Sequence, residues 1–360
     1  MYKVWLQINK KAIKNNIAAI RRLITLQTEL WSVVKSNAYG HGLVLFAKLA
    51  QKFGVDGFCV DSVVEGEKLR KNGIVKPILV LGPTLPQLYG TAAKFNLIVT
   101  VSNTEALRAL IKSKAKPDFH IKIDTGMHRQ GFYPEDLLKV IRNFKFKIRN
   151  SLKGVYTHFA SAKDINYPSF TEYQFSNFRG AVEILEKVGF KNLKKHVAAT
   201  GGTLVGKKYH LDMVRVGIGL YGLWPSRELE AQLNDKIKLA PVLSWHALVS
   251  EVKKIRRGEY IGYDLIERVD RDSQVAVVPI GYWHGLPRAL SSVGEVWLGK
   301  KKCRILGRVS MDLIVIEVTG CRCRVGERVS FVPTEIAQKL GASHYEIITR
   351  INPLIKKIVK

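Results

Sequence analysis

The sequence predicts an α/β protein, a (β/α)8 TIM-type barrel followed by a smaller, mainly β C-terminal domain. Three observations carry that reading. Short apolar, β-branched runs alternate with amphipathic helical patterns as far as about Lys236, the signature of βα units around a parallel sheet. Beyond that point strand-like runs are separated by glycine turns, with few helical patterns. A chain of 360 residues, 46% of them hydrophobic, also exceeds the size at which single cores stop growing, roughly 250 to 300 residues.

Taken in order, the apolar runs are 30–35, 57–60, 78–81, 97–100, 119–123, 152–157, 195–199 and 213–216. Eight such runs in about 200 residues match the repeat of a barrel. Between them the stretches 43–53, 63–72, 104–113, 134–143 and 170–188 place apolar residues near a 3.6 period. The barrel is expected over residues 1–236 and the β domain over 237–360, with 1–10 supplying a strand that joins the β domain. In that second domain the runs 243–252, 274–280, 295–298, 313–318 and 328–332 fall between turns holding Gly258, Gly294, Gly299, Gly320 and Gly326, which suits a barrel or sandwich.

Composition excludes several classes. The first residues lack the apolar core of a signal peptide, and no uncharged run approaches a bilayer span, so a cytoplasmic protein without a membrane partner is expected. Four cysteines, Cys59, Cys303, Cys321 and Cys323, form neither a disulfide framework nor a zinc spacing, and no metal is expected. The net charge of +28 would suit nucleic acid, and Lys300 to Arg304 or Arg142 to Arg149 would be phosphate patches. The basic residues are nevertheless spread along the whole chain with no nucleic-acid motif. A solvated lysine-rich surface that steers anions is the preferred account.

In such barrels chemistry sits at the C-terminal strand ends, so the polar residues just past each run form a set. The first run ends in Lys35, inside Val33-Val34-Lys35-Ser36-Asn37-Ala38-Tyr39-Gly40-His41-Gly42. A partly desolvated lysine at a pocket mouth has a lowered pKa and supplies the neutral amine that attacks carbonyls. The fifth run leads into Asp124-Thr125-Gly126-Met127-His128-Arg129, the sixth ends in His158, the seventh in Thr200 and the eighth in Arg215, followed by Gly217 and Gly219. Loops after strands seven and eight are the recurrent phosphate site of this architecture.

These segments resemble the motifs of the alanine racemases over almost the whole chain. The lysine decapeptide resembles the family's pyridoxal 5'-phosphate (PLP) motif. Lys122 to Arg129 with Gly131 resembles its substrate-arginine loop, Thr157-His158-Phe159-Ala160 its histidine segment, and Val214 to Ile218 its strand-eight arginine. In the second domain Ile261-Gly262-Tyr263, Pro279-Ile280-Gly281-Tyr282 and Gly307 to Asp312 match in order. The resemblance implies that Lys35 carries PLP covalently and acts as one catalytic base, and that Tyr263, reaching over from the other subunit of a homodimer, is the second. It implies further that Tyr39, His158, Thr200, Arg215, Gly217 and Ile218 bind the cofactor, with Arg215 facing the pyridine nitrogen. Positive charge on His158 and Arg215 would favour the Tyr263 phenolate. Arg129 and the backbone N–H of Met311, the latter from the partner subunit, would bind the carboxylate of a small amino acid substrate, Lys122 matches a position carbamylated in some members, and Tyr282, Arg288 and Arg308 match the entrance.

Three departures stand out. Lys163 replaces an aspartate after the histidine segment, His284 replaces an acidic residue after the Ile-Gly-Tyr motif, and Pro353 stands where an active-site tyrosine is expected. The expected function is racemisation of alanine, supplying D-alanine for peptidoglycan. A serine or broader amino-acid racemase, a related decarboxylase and a non-catalytic PLP-binding barrel are the alternatives. Tyr263 and the second domain speak against the last.

Overall fold

The computed structural model describes residues 2–360. They form two compact units. One, the barrel unit, comprises Lys11–Ala38 and Leu43–Ala240; the other, the β unit, comprises residues 2–10, Tyr39–Gly42 and Pro241–Lys360.

The first strand, β1 (Val4–Ile8), belongs to the β unit, where it pairs with strands far along the chain. Eight parallel strands then build the barrel in order round its circumference: β2 (Glu29–Val33), β3 (Gly57–Val60), β4 (Ile78–Pro83), β5 (Ile98–Val101), β6 (Phe119–Lys122), β7 (Leu152–Tyr156), β8 (Lys194–His196) and β9 (Met213–Val216). Strand β2 pairs with β9 through Trp31 and Arg215, and the gap between β8 and β9 is closed by a bridge from Ala199 to Arg215. Most strand residues are buried on both faces, which is why the runs read as continuous apolar segments. Close packing leaves no side-chain room at two glycines. A Cβ on Gly57 would lie 2.4 Å from the Trp31 indole, and one on Gly154 would lie 2.7 Å from the His120 ring.

Several expected boundaries move. Strand β2 closes at Val33, two residues before Lys35, because Ser36, Asn37, Ala38 and Tyr39 take left-handed φ values of 50° to 56°. Lys35 therefore opens a turn and does not end a strand. The run 195–199 shortens to β8, as Ala199 precedes the helix Thr200–Val205, and the run 97–100 shifts to 98–101. The helix expected over 134–143 continues to Ile148, its apolar side fixed by Leu137, Ile141 and Ile148. The helix after β3 starts at Val63 because Ser62 Oγ accepts the Glu65 N–H at 3.3 Å.

The β unit holds a nine-stranded mixed sheet made by β1, β10 (Leu243–Leu248), β11 (Glu251–Ile255), β12 (Ser273–Val278), β13 (Glu295–Leu298), β14 (Lys301–Leu306), β15 (Ile314–Glu317), β16 (Arg328–Phe331) and β17 (Lys356–Val359). The run 243–252 is thus two strands broken at Val249-Ser250. The proposed phosphate patch at Lys300 to Arg304 lies largely in β14, where Lys302 is ion-paired to Glu335 at 3.0 Å and Glu295 at 3.6 Å. Two helices, Pro333–Lys339 and His344–Arg350, were not legible in the glycine-rich pattern. Among the described residues no helix is long and apolar enough to cross a membrane.

The Gly154 contact gives a direct test of barrel packing. Gly154→Ala drives a methyl into the His120 ring, and overpacking of this kind costs about 1–3 kcal/mol; urea unfolding followed by near-ultraviolet circular dichroism should show the barrel transition moved to lower denaturant.

Candidate active site

The turn that carries Lys35 is held from the helix after β3. Glu65 Oε1 accepts the Ser36 N–H at 2.7 Å, its Oε2 accepts the Asp61 N–H at 2.8 Å, and Asn37 Oδ1 accepts the Leu43 N–H at 3.0 Å. The Lys35 ammonium lies 3.7 Å from Asp61 Oδ1 and its side chain is 39% exposed. Lys35 is thus an accessible amine on a backbone segment with little freedom.

The loop after β6 is organised by Asp124. Its Oδ1 accepts the N–H groups of Gly126, Met127 and His128 at 3.1, 2.9 and 2.9 Å, and its Oδ2 accepts that of Arg129 at 2.9 Å. Burial alone would raise the Asp124 carboxyl; the backbone bonds overcome it and hold the pKa low. Lys122 is buried just before this loop and donates to Gln130 Oε1 at 3.2 Å. Desolvation, then the charges of Arg129 and Arg215, push its pKa down to about 8. The Gln130 Nε2 group is buried with no acceptor.

Arg215, at 2% exposure, is the most enclosed of these cations. It donates to His196 Nδ1 and, through Nη2, to the carbonyls of Thr157 at 2.8 Å and Val197 at 3.1 Å. A guanidinium has donors only, so His196 Nδ1 accepts, its Nε2 carries the proton, and that proton points to His120 Nδ1 at 2.8 Å. Burial and the nearby cations hold His120 near 3 and His196 far below the usual imidazole range, so both rings are neutral. Tyr156 stacks on His196 with ring centroids 4.7 Å apart and lies under the guanidinium at 5.0 Å.

His158 lies two residues beyond the end of β7. Desolvation, then Arg215, Lys122, Arg129 and Lys35, lower its pKa to about 3. It is therefore neutral, which corrects the expectation that it supplies positive charge. The same interactions show that Lys35, Lys122, Arg129 and Arg215 converge on one imidazole. Beside them Thr200 Oγ1 accepts the Gly217 N–H at 3.2 Å, and a Cβ on Gly219 would approach the Thr200 methyl to 2.9 Å. The Ile218 N–H opens a 3-10 turn and is not used by it. The barrel unit thus presents an anion cradle at Thr200, Gly217 and Ile218 beside four cations and a neutral ring.

In the β unit, Tyr39 packs against Tyr345 with ring centroids 5.8 Å apart. Tyr263 and Met311 are 69% and 53% exposed. The turn at Gly281–Tyr282 lies on the Ser310–Met311 backbone, with Tyr282 N–H donating to the Ser310 carbonyl at 3.0 Å. Arg288 and Arg308 share the carboxylate of Asp264, at 3.8 and 3.0 Å. His284 is buried, with Nδ1 accepting the Gly281 N–H at 3.1 Å, and Lys163 lies in the loop after the histidine segment. Among the described residues no group of three or more His, Cys, Asp or Glu side chains is placed to hold a metal.

Sequence reasoning assigned no role to Asp124, Gln130, Tyr156, His196, Glu65 or Asp264. The Asp-Thr-Gly run after a strand was the available signal for Asp124, since an aspartate there caps its own loop. His196 was marked only by being polar inside a buried strand.

The family model described as "Alanine racemase, N-terminal domain" matches residues 8–225, and "Alanine racemase, C-terminal domain" matches 242–359. The chain is 32% identical to an alanine racemase of Leptospira interrogans, covering 99% of this chain and 96% of that protein. It is 35% identical to one from Halothermothrix orenii, over 99% and 96%. Among solved structures, alanine racemase of Bacillus anthracis with bound L-Ala-P superposes with a TM-score of 0.93 at 33% identity, covering 100% of this chain and 95% of that one. Alanine racemase of Clostridium difficile 630 gives a TM-score of 0.93 at 30% identity, over 100% and 96%. Motifs, fold and relatives agree: this chain belongs to the alanine racemase family.

Proposed function

We propose that this protein is a cytoplasmic, PLP-dependent alanine racemase that works as a homodimer and supplies D-alanine for peptidoglycan. The observation that carries the reading is the convergence of Lys35, Lys122, Arg129 and Arg215 on the neutral His158, next to the cradle at Thr200, Gly217 and Ile218. That donor set fits PLP. The cradle suits a phosphate, the lysine amine suits an aldehyde, and a buried guanidinium with no carboxylate partner suits a weakly basic ring nitrogen. Tyr39 would add its hydroxyl to the phosphate, and His158 its flat ring to the cofactor.

Bound PLP would withdraw electrons from the substrate Cα and so acidify its hydrogen. Arg215 would donate to the pyridine nitrogen without giving up a proton, which would keep that withdrawal modest and limit side reactions. Inversion needs a proton removed on one face of Cα and returned on the other, so two bases must stand on opposite sides. Lys35 serves the D-face and the partner subunit's Tyr263 the L-face. Arg129, with the backbone N–H of the partner subunit's Met311, holds the carboxylate, and Tyr282, Arg288 and Arg308 line the entrance. Alanine is favoured over a larger substrate by this family membership, while Pro353 leaves the side-chain pocket open to serine.

Three tests follow from these assignments. Lys35→Ala and Tyr263→Ala proteins should each be inactive when the D- and L-alanine content is followed by chiral chromatography. After subunit exchange the mixture should regain activity through the one intact site of each heterodimer, and exchange without recovery contradicts a shared site.

Lys122 offers the second. With a pKa near 8, its amine becomes neutral as pH rises through that value, and only the neutral amine adds carbon dioxide, forming a carbamate and releasing one proton. The carbamate would take the orphaned Gln130 N–H and pair with Arg129. Enzyme stripped of carbon dioxide should therefore gain activity on adding bicarbonate, more at pH 8 than at pH 6.5, and native mass spectrometry should show the added CO2 lost in Lys122→Ala.

The third concerns selectivity. Pro353 is exposed, and its neighbour Asn352 binds the Trp283 and His284 carbonyls at 3.0 and 3.1 Å, next to Tyr282. Pro353→Tyr should raise the ratio of kcat/KM for L-alanine over L-serine, by no more than the roughly 10- to 200-fold available from one methylene-sized difference. A folded variant with an unchanged ratio would place the selectivity elsewhere.

A further inference from the structure

We infer that Asp264 is a positioning residue that clamps the Tyr263 turn onto the two entrance arginines. The inference rests on the reading of Tyr263 as a catalytic base. Tyr263 stands at the tip of a hairpin whose stem is secured by the Tyr260 to Arg268 bridge, by the Ile261 N–H to Glu267 carbonyl bond at 2.9 Å and by the Glu267 to Arg304 ion pair at 2.8 Å. Ile261 and Val269 anchor the stem further in a cluster with Val275 and Leu306. The tip has no such support. Gly262, Asp264 and Leu265 have φ values of 75°, 64° and 51°, and left-handed backbone at two successive non-glycine residues persists only where something outside holds it.

That hold is the Asp264 carboxylate. Its Oδ2 accepts from Arg308 Nε at 3.0 Å and lies 3.8 Å from Arg288 Nη2. Among the described residues, the hydrogen bonds and ion pairs from the tip to the rest of the β unit pass through this one carboxylate. Both arginines are themselves anchored. Arg308 follows Gly307, which is so close to the stem that a Cβ there would lie 2.5 Å from the Ile261 carbonyl. The Arg288 carbonyl accepts Ser291 Oγ at 2.6 Å, and Ser291 Oγ in turn accepts the Val309 N–H at 3.0 Å. A single negative charge shared by two guanidinium groups therefore links the tyrosine turn to the Arg288 turn and the Arg308 loop, and leaves the Tyr263 ring exposed beside them. A phenol that must meet Cα at proton-transfer distance gains from being so placed, since a misplacement near 1 Å costs about 100-fold.

The experiment compares PLP-loaded wild-type protein with Asp264→Ala, Asp264→Asn, Asp264→Glu and the control Tyr263→Phe. In the alanine and asparagine variants, amide hydrogen exchange should rise in the peptide covering residues 260–268 and stay unchanged in the barrel. Their kcat should fall by about 10- to 100-fold with KM changed far less. The deuterium isotope effect on removing the Cα hydrogen should grow for L-alanine, whose proton goes to Tyr263, and not for D-alanine, whose proton goes to Lys35. Asp264→Glu should recover part of the rate. If Asp264→Ala does not fold, the isosteric Asp264→Asn carries the same readouts. Unchanged exchange at 260–268, or a loss confined to KM, overturns the inference and leaves Asp264 as a trim on the entrance charge. Full activity in Tyr263→Phe overturns instead the reading of Tyr263 as a base, so the two failures are separable.

Discussion

A guanidinium buried without a carboxylate governs the barrel mouth. Arg215 is enclosed by the Tyr156 ring, the His196 imidazole and two backbone carbonyls, and among the described residues no acid is ion-paired to it. Burying an unpaired cation is costly, and the structure spreads the cost by making every neighbour a neutral acceptor. The consequences run outward. His196 has to present a bare Nδ1, His120 has to receive the proton from its other nitrogen, and both rings have to stay neutral. Gly154 has to be a glycine because the His120 ring occupies the space a side chain would need. The depressed amine of Lys122 and the neutral His158 follow from burial first and from the same cations second. The site is therefore poised for anionic ligands before any arrives, which is the sense in which electrostatic preorganisation assists a reaction.

Three loops, two in the barrel unit and one in the β unit, are each set by a single carboxylate that reaches backbone N–H groups or arginines: Glu65 for the Lys35 turn, Asp124 for the Arg129 loop, and Asp264 for the Tyr263 turn. In each case the backbone is left-handed close to the functional residue, at Ser36, His128 and Asp264. Left-handed residues aim side chains in directions a regular strand or helix cannot offer, and they need an external hold to stay so. Placing one acid per loop supplies that hold.

The barrel was legible because its strands are buried on both faces and read as unbroken apolar runs, and because amphipathic helices separate them. The local geometry of the site was not. Lys35 looked like the end of a strand, since Val33-Val34 is β-branched, and nothing in Ser36-Asn37-Ala38 announces four left-handed residues apart from the asparagine. Strand β14 was hidden by the consecutive Lys300, Lys301 and Lys302, which read as a charge patch although the alternation of Lys302 and Arg304 with buried Cys303 and Ile305 is what a half-buried strand shows. The helices at 333–339 and 344–350 were masked by their brevity. The histidine pair was invisible because the partner that explains His196 lies 76 residues away at His120, and sequence spacing carries no information about contacts across a barrel.

The excess of 58 basic over 30 acidic residues gives the chain a background potential, yet this background does not by itself account for the site. Most exposed lysines lie in solvent, where a unit charge is screened within about 10 Å, and their pairs with Glu67, Asp235 or Glu251 contribute little. What distinguishes Lys35, Lys122, Arg129 and Arg215 is that they act on groups in a desolvated interior, where burial first and these charges second push the Lys122 amine down to about 8 and the His158 ring down to about 3. The few acids nearby are consumed by loop backbone and by one ion pair from Lys35, so they hold the scaffold and leave the field positive. A surface charge bias of any origin would be tolerated by this arrangement, because the chemistry depends on which carboxylates are kept inside it and where they point.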